Sequence, residues 1–393
     1  MTDRADRLLY VGIDEAGYGP LLGPLCVGLT ALELPASALA RTAHGAPDVW
    51  KLLRRAVARP PTAQRSAAAK KAPARRRSPV SADRTSRGRI LVADSKELKL
   101  PNHCATTHPL RRLEPGVLCF LAHARPHADG SPEPAPGGCP SNWGELARAL
   151  GCTIGETAAP DAVWSRLRER SPETWPRTPA SHTADELRVR SASLGGALAQ
   201  AGVAVAAMRC EALDETRFNA SLGELGVKSA VSFGVVARLI RSVWLDDAAT
   251  RRPADAPVPR LVIDRQGGRT RYAGVLAGAV DRPGGGAQVE AVAESASASV
   301  YDLAGAGSDA GRRLRVIVAV EAERAHFPVA LASMTAKYVR ELAMSAFNAH
   351  WSERLGEIKP TAGYTADARR WLDDARRTGL VRESELEALC RRA

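Results

Sequence analysis

The sequence predicts an α/β layer architecture, helices packed over a β-sheet, and three observations lead there. Apolar runs of strand length recur along the chain: LLYVGI (8–13), VAVAAMRCEAL (203–213), RLVID (260–264) and RLRVIVAV (313–320). Between and after them come stretches with helical periodicity, VSFGVVARLIRSVW (231–244) and a segment from about 330 to 351. Strands alternating with helices around a few buried runs are the pattern of an α/β sheet. With 393 residues, 45% hydrophobic and 25% charged, the chain is long enough to bury a large core.

In chain order, LLYVGI enters a glycine-rich turn, followed by a second apolar run, PLCVGLTAL (24–32). RILVADSKEL (89–98) reads as a short core piece. A Pro/Gly-broken region from about 101 to 200 holds the loop-like SPEPAPGGCPSNWG and short helical patterns around ELARAL and DAVWSRLRER. The core resumes at 203 with a strand and a helix, then two strands separated by a Gly-rich interval at about 281–312, the helix around 330–351 and a terminal helical pair. The expected division is 1–50 as the first part of the core, 51–88 as a disordered basic insertion and 89–100 as a core segment. Residues 101–200 are an insertion or small subdomain, 201–365 the rest of the core and 366–393 a C-terminal helical segment.

The charge is uneven. Lys and Arg number 55 against 43 Asp and Glu, a formal +12, and residues 51–90 alone carry thirteen bases and one acid, Asp83. The remainder balances at 42 against 42. A Pro-, Ser- and Ala-rich basic stretch is read as a flexible tether, either a polyanion-binding arm with salt-sensitive affinity or a plain solvated linker. No apolar run approaches the roughly 20 residues of a membrane span, and the opening MTDRADRLLYVGIDEAG is read as neither a secretory signal nor a transit peptide. A cytoplasmic, monomeric protein with no membrane partner is expected. Seven cysteines without a CxxC pair argue against a disulfide framework or a structural zinc site. The cluster His103, Cys104, His108, His123 and His127 reads as incidental.

Three places carry candidate chemistry. Asp14 and Glu15 end an apolar strand and enter Ala16-Gly17-Tyr18-Gly19-Pro20; adjacent strand carboxylates converge only if the chain turns there, and a hard divalent cation would relieve their repulsion. Asp264 closes PRLVID, at the carboxyl end of a strand, where ligands bind α/β sheets. Ser333, Lys337 and Glu341 share one helix face, while Leu331, Met334, Tyr338, Leu342 and Ser345 follow a mainly core track. Each also has a structural reading: a solvated acidic pair, a loop-capping Asp and an exposed Lys–Glu pair.

Together these motifs resemble the type 2 ribonucleases H, the ribonuclease HII family. VGIDEAGYGPLLGPL is similar to the family's opening signature, ADSKEL to its Asp-Ser-Lys motif and LVIDRQGGRTRY to the strand bearing its third carboxylate. EAERAHFPVALASMTAKYVREL is similar to the long motif bearing the fourth, and GYTADARRWL to the Gly-Tyr-Pro element near its end. The five motifs stand in the family's order and cover about half the chain.

The resemblance implies a ribonuclease H-like core with a mixed five-stranded sheet flanked by helices. It implies metal-ligating, catalytic carboxylates at Asp14, Glu15, Asp264 and Glu341, holding two Mg²⁺ or Mn²⁺ ions. The implied activity is hydrolysis on the 5′ side of a ribonucleotide in an RNA/DNA hybrid or in duplex DNA, leaving a 3′-hydroxyl and a 5′-phosphate. Gly17, Tyr18, Gly19, Ser95, Lys96, Asn219, Ser333, Lys337 and Tyr364 are the implied nucleic-acid contacts. For the lysines a salt bridge, for Asn219 a turn-forming role and for Tyr364 a core position are the structural alternatives. Two positions depart from the family: Tyr18 replaces a basic residue and Glu341 an Asp. A nucleic-acid-binding relative with weakened hydrolysis is the alternative function, and another metal nuclease on the same fold is a third.

Overall fold

The computed structural model describes residues 6–39, 46–60, 88–102, 106–126, 138–154, 163–169, 175–265 and 269–392. Its centre is a seven-stranded mixed sheet of order β5-β2-β1-β6-β9-β8-β7. The strands are β1 Arg7–Ala16, β2 Leu25–Pro35, β5 Ala204–Leu213, β6 Arg260–Asp264, β7 Gly285–Glu294, β8 Ala298–Gly307 and β9 Arg313–Ala319, with β3 Val57–Ala58 and β4 Ile90–Leu91 forming a separate parallel pair. The middle three, β1, β6 and β9, run parallel; their outer neighbours are antiparallel. The sheet therefore has seven strands where five were expected. The Gly-rich 281–312 interval accounts for the difference: it folds into the β7–β8 hairpin on the edge of the sheet.

Side chains alternate along β1, and the alternation sorts the core into two layers. Leu8 and Tyr10 join the cluster beneath the helix Phe327–Leu355, whereas Leu9, Val11 and Ile13 pack with the helices Lys228–Leu245 and Ala273–Val280 on the other face. Pro328 opens the 29-residue Phe327–Leu355 helix, where its missing N–H costs nothing. That helix is buried around most of its circumference, because the sheet covers one side and the Glu114–Leu121 and Val163–Glu169 helices the other. Of the predicted core track, Leu331, Met334, Tyr338 and Leu342 are buried, but Ser345 is exposed.

Two glycines let this helix lie directly on the strands. A Cβ on Gly12 would stand 2.2 Å from the Val329 nitrogen, and one on Gly28 would stand 2.2 Å from the Ala332 carbonyl oxygen. Close backbone approach at β1 and β2 thus fixes the height of the helix over the sheet.

The 101–200 stretch, expected as an insertion or subdomain, contributes Leu113, Val117, Phe120, Leu146, Trp164 and Leu194 to the same core cluster as that helix. Its Glu114 is fully buried and accepts bonds from the Ala180 nitrogen at 2.6 Å, the Ser181 nitrogen at 2.9 Å and the Tyr338 hydroxyl at 2.8 Å. Burial alone would raise this carboxyl, but its bonds to His182, Ser181, Ala180 and Tyr338 hold it below the usual range.

The first ten residues of the basic stretch are folded. Asp48 caps a turn of helix at Val49–Leu52, β3 follows, and the Arg59 guanidinium sits 3.8 Å over the Trp50 ring. Residues 61–87, which hold the rest of the expected tether, lie outside the described residues, as do His103, Cys104 and His127. Among the described residues no single helix is long and apolar enough to cross a membrane.

Candidate active site

β1 and β6 are adjacent and parallel, with Ile13 opposite Ile263, so Asp14, near the end of β1, stands at the same height as Asp264, the last residue of β6. Strand alternation places Asp264 on the face of Val262 and Asp14 on the face of Tyr10, the side covered by the Phe327–Leu355 helix. β9 ends alongside, with Ala319 opposite Asp264, and the chain then turns through Glu321, whose φ of 51° is left-handed. That turn delivers the Ala322 nitrogen to Asp264 Oδ1 at 2.9 Å and brings Glu323 into the field of Asp264 and Asp94.

The two members of the opening acidic pair do not share a face. β1 remains paired with β2 through Ala16, opposite Cys26, so the chain turns only at Gly17 and Glu15 points to the other side of the sheet. Glu15 nevertheless acts on its neighbour through the strand.

Burial pushes Asp14 well above the usual carboxylate range, and the charges of Glu15 and Asp264 push further in the same direction. Asp264 is raised mainly by burial, with Asp94 adding to it. Glu323, which the sequence motifs did not single out, is pushed up to about 7 by burial and by Asp264 and Asp94. Like charges gathered in a poorly solvated place resist ionisation, and all three shifts have that sign.

Two segments support this cluster. Asp94 caps the Ser95–Leu98 turn by accepting from the Lys96 nitrogen at 3.0 Å. Ser333, buried on the long helix, has its Oγ 3.0 Å from Ser95 Oγ and also hydrogen bonds to Asp14, which ties the Asp-Ser-Lys segment to β1. Partial burial works against the Lys96 ammonium, but Asp94, Asp14, Glu323 and Asp264 together overcome it and hold its pKa above the ordinary value. One ammonium thus stands in the field of four carboxylates.

Glu341 is differently placed. Lys337 approaches its carboxylate at 2.6 Å and Lys99 at 3.4 Å. Burial would raise its pKa, but Lys337, Lys99 and Arg340 hold it below the usual range. It is a paired structural acid, one turn along from the lysine expected to contact nucleic acid.

Gly17, Tyr18 and Gly19 form the tip of the turn after β1. Gly17 has φ +92°, and a Cβ there would collide with Arg340 Cδ and the Pro24 carbonyl oxygen, both at 2.8 Å. A Cβ on Gly19 would meet nothing within 4 Å, so this backbone faces open space. Tyr364 is half exposed, with Lys337 Nζ 5.9 Å and the Arg340 guanidinium 6.0 Å from its ring centre. Asn219 spends its amide elsewhere: it donates to the Cys390 carbonyl at 2.8 Å and accepts from the Arg392 nitrogen at 2.8 Å.

The acids gathered on this face, Asp14, Asp264 and Glu323, offer hard carboxylate oxygens without sulfur or imidazole, the chemistry that suits Mg²⁺ or Mn²⁺. A divalent cation would also offset the repulsion that raises their pKa values. As the side chains stand, no three His, Cys, Asp or Glu among the described residues surround one point closely enough to grip an ion.

No family model and no curated protein matches this sequence. Among solved structures the chain is similar to the ribonuclease HII of Archaeoglobus fulgidus seen in a complex with PCNA, at 13% identity and a TM-score of 0.36, over 98% of this chain and 94% of that one. It is also similar to ribonuclease H2 from Pyrococcus horikoshii OT3, at 11% identity and a TM-score of 0.32, over 97% of each chain.

Proposed function

We propose that this protein is a metal-dependent endoribonuclease that hydrolyses the RNA strand of an RNA/DNA hybrid, or the bond at a ribonucleotide embedded in duplex DNA. The observation that carries this reading is the meeting of Asp14 and Asp264 at equal height on adjacent parallel strands, with Glu323 on the turn above them. The five ordered motifs supply the substrate class. In this reading Glu323 takes the place that the sequence motifs gave to Glu341.

Asp14, Asp264 and Glu323 would hold the divalent ions. When bound, such ions supply a water of lowered pKa and positive charge to offset the leaving oxygen. The chain's own groups do the rest. Ser333 orients the Asp14 carboxylate, and the Ala322 nitrogen does the same for Asp264. Lys96 offers an ammonium to the phosphate that approaches the acids. The open backbone at Gly19 allows close approach to a ribose 2′-hydroxyl, and the half-exposed Tyr364 ring gives a sugar or base a surface to stack on.

The test is incubation with Mg²⁺ or Mn²⁺ and a labelled duplex carrying one or several ribonucleotides. Cleavage on the 5′ side of a ribonucleotide, leaving a 3′-hydroxyl and vanishing in Asp14→Asn and Asp264→Asn, is expected. Binding without cleavage would instead indicate a relative that has lost hydrolysis, and cutting of all-DNA duplex another nuclease.

A further inference from the structure

The turn that carries Gly17, Tyr18 and Gly19 is anchored by residues far away in the chain. The Leu21 and Leu22 nitrogens donate to the Gly363 carbonyl at 2.8 and 3.1 Å. The buried Glu215 accepts from the Gly23 nitrogen at 2.6 Å, and the buried Arg340 donates to the Pro24 and Leu22 carbonyls at 2.8 and 3.2 Å. Arg391 completes the set twice over. Its main-chain nitrogen donates to the Leu21 carbonyl at 2.9 Å, and its guanidinium donates to the Pro20 carbonyl.

Arg391 is 1% exposed and lies over the Phe218 ring at 5.0 Å, with Glu215 the acid that acts on it most strongly. What fixes it is Asn219, whose amide grips the main chain on both sides, at Cys390 and at Arg392. A surface tail would not need this. A guanidinium in a poorly solvated place, in a residue that binds two backbone carbonyls of one turn, makes sense if the position of that turn matters.

We infer that Asn219 and Arg391 are positioning residues for nucleic-acid binding: the asparagine clamps the chain around Arg391, and Arg391 holds the base of the turn so that Gly17 to Gly19 meet the ribose strand. This rests on the nucleic-acid reading of that turn, and it assigns Asn219 an indirect role in place of the direct contact implied by the family resemblance. The turn is pre-formed, so binding does not have to order it.

The test uses the full chain with Arg391→Ala, Arg391→Lys and Asn219→Ala. Three quantities are measured: amide hydrogen exchange at residues 21–23, affinity for a duplex with one ribonucleotide in Ca²⁺, and the steady-state constants in Mg²⁺. Faster exchange at 21–23 is expected in both alanine variants, with Kd and KM raised about tenfold and kcat within about twofold, the pattern of lost uniform binding. Arg391→Lys, which keeps the charge and one donor, should recover part of the affinity. Unchanged exchange at 21–23, or faster exchange with unchanged Kd, would overturn the inference. If Arg391→Ala does not fold, Asn219→Ala decides, since it leaves the guanidinium in place. Failure of the unmodified protein to bind or cut the duplex would overturn the nucleic-acid reading itself, while the exchange data would still decide whether the clamp exists.

Discussion

At the scale of single residues, the site is a balance between charges that repel and a function that needs them together. Asp14 is buried, and its ionised form is opposed by burial and by two neighbouring acids. Asp14→Asn should therefore raise stability by about 1 kcal/mol in EDTA at neutral pH while lowering cleavage by about a thousandfold or more. Adding Mg²⁺ should then stabilise the unmodified protein and leave the variant unchanged, which thermal melts would show. His326 makes a second prediction. It bonds Tyr10 at 2.6 Å beneath the acids, and burial, with help from Arg260, pushes its pKa from 6.5 down to about 4. As pH falls below 6.5 the unfolded chain takes up a proton that the folded chain refuses, so stability is full above that pH and declines toward 4, by about 3 kcal/mol in total. Urea unfolding of His326→Gln should show a shallower loss between pH 7 and 5; equal slopes would show that His326 is not the group responsible.

At the scale of elements, the Phe327–Leu355 helix is the piece on which the site is built. It supplies Ser333 to the acids, Arg340 to the turn after β1 and Lys337 to the Tyr364 ring, and the two glycines beneath it set its height. Gly12→Ala would place a methyl group against the helix backbone and should cost about 3 kcal/mol, read as a lowered urea midpoint with an unchanged slope. A variant as stable as the original would show that the helix can ride higher on the sheet. Most of these elements were legible in the sequence because their apolar period is strong. The β7–β8 hairpin was not: it is rich in glycine and alanine, and many of its side chains are exposed, so no apolar run announces it. The turn at Asp14 and Glu15 was placed too early, since glycine marks where a chain is able to bend, and cross-strand pairing with β2 decides where it does.

At the scale of the whole molecule, the two described ends of the basic stretch lead to the acidic cluster. Arg59, near the start of the basic stretch, donates to the Arg324 carbonyl at 3.0 Å, next to Glu323, and β4 leads from its far end into the Asp94-Ser95-Lys96 segment. Replacing Lys70, Lys71, Arg75, Arg76 and Arg77 with glutamine should leave folding unchanged. It should flatten the dependence of log affinity on log salt by up to about 0.9 for each phosphate that is no longer neutralised; an unaltered slope would make the stretch a spacer. The sequence by itself determined the α/β class, the strands that carry Asp14 and Asp264, and the one segment that carries all the net charge, because period and composition are local properties of a chain. Only the tertiary structure decided which acids act on one another. It put Glu323 beside Asp264 and gave Glu341 to two lysines, and it turned Asn219 toward the chain around Arg391. Through-space charge and hydrogen bonding depend on distances that residue spacing does not encode.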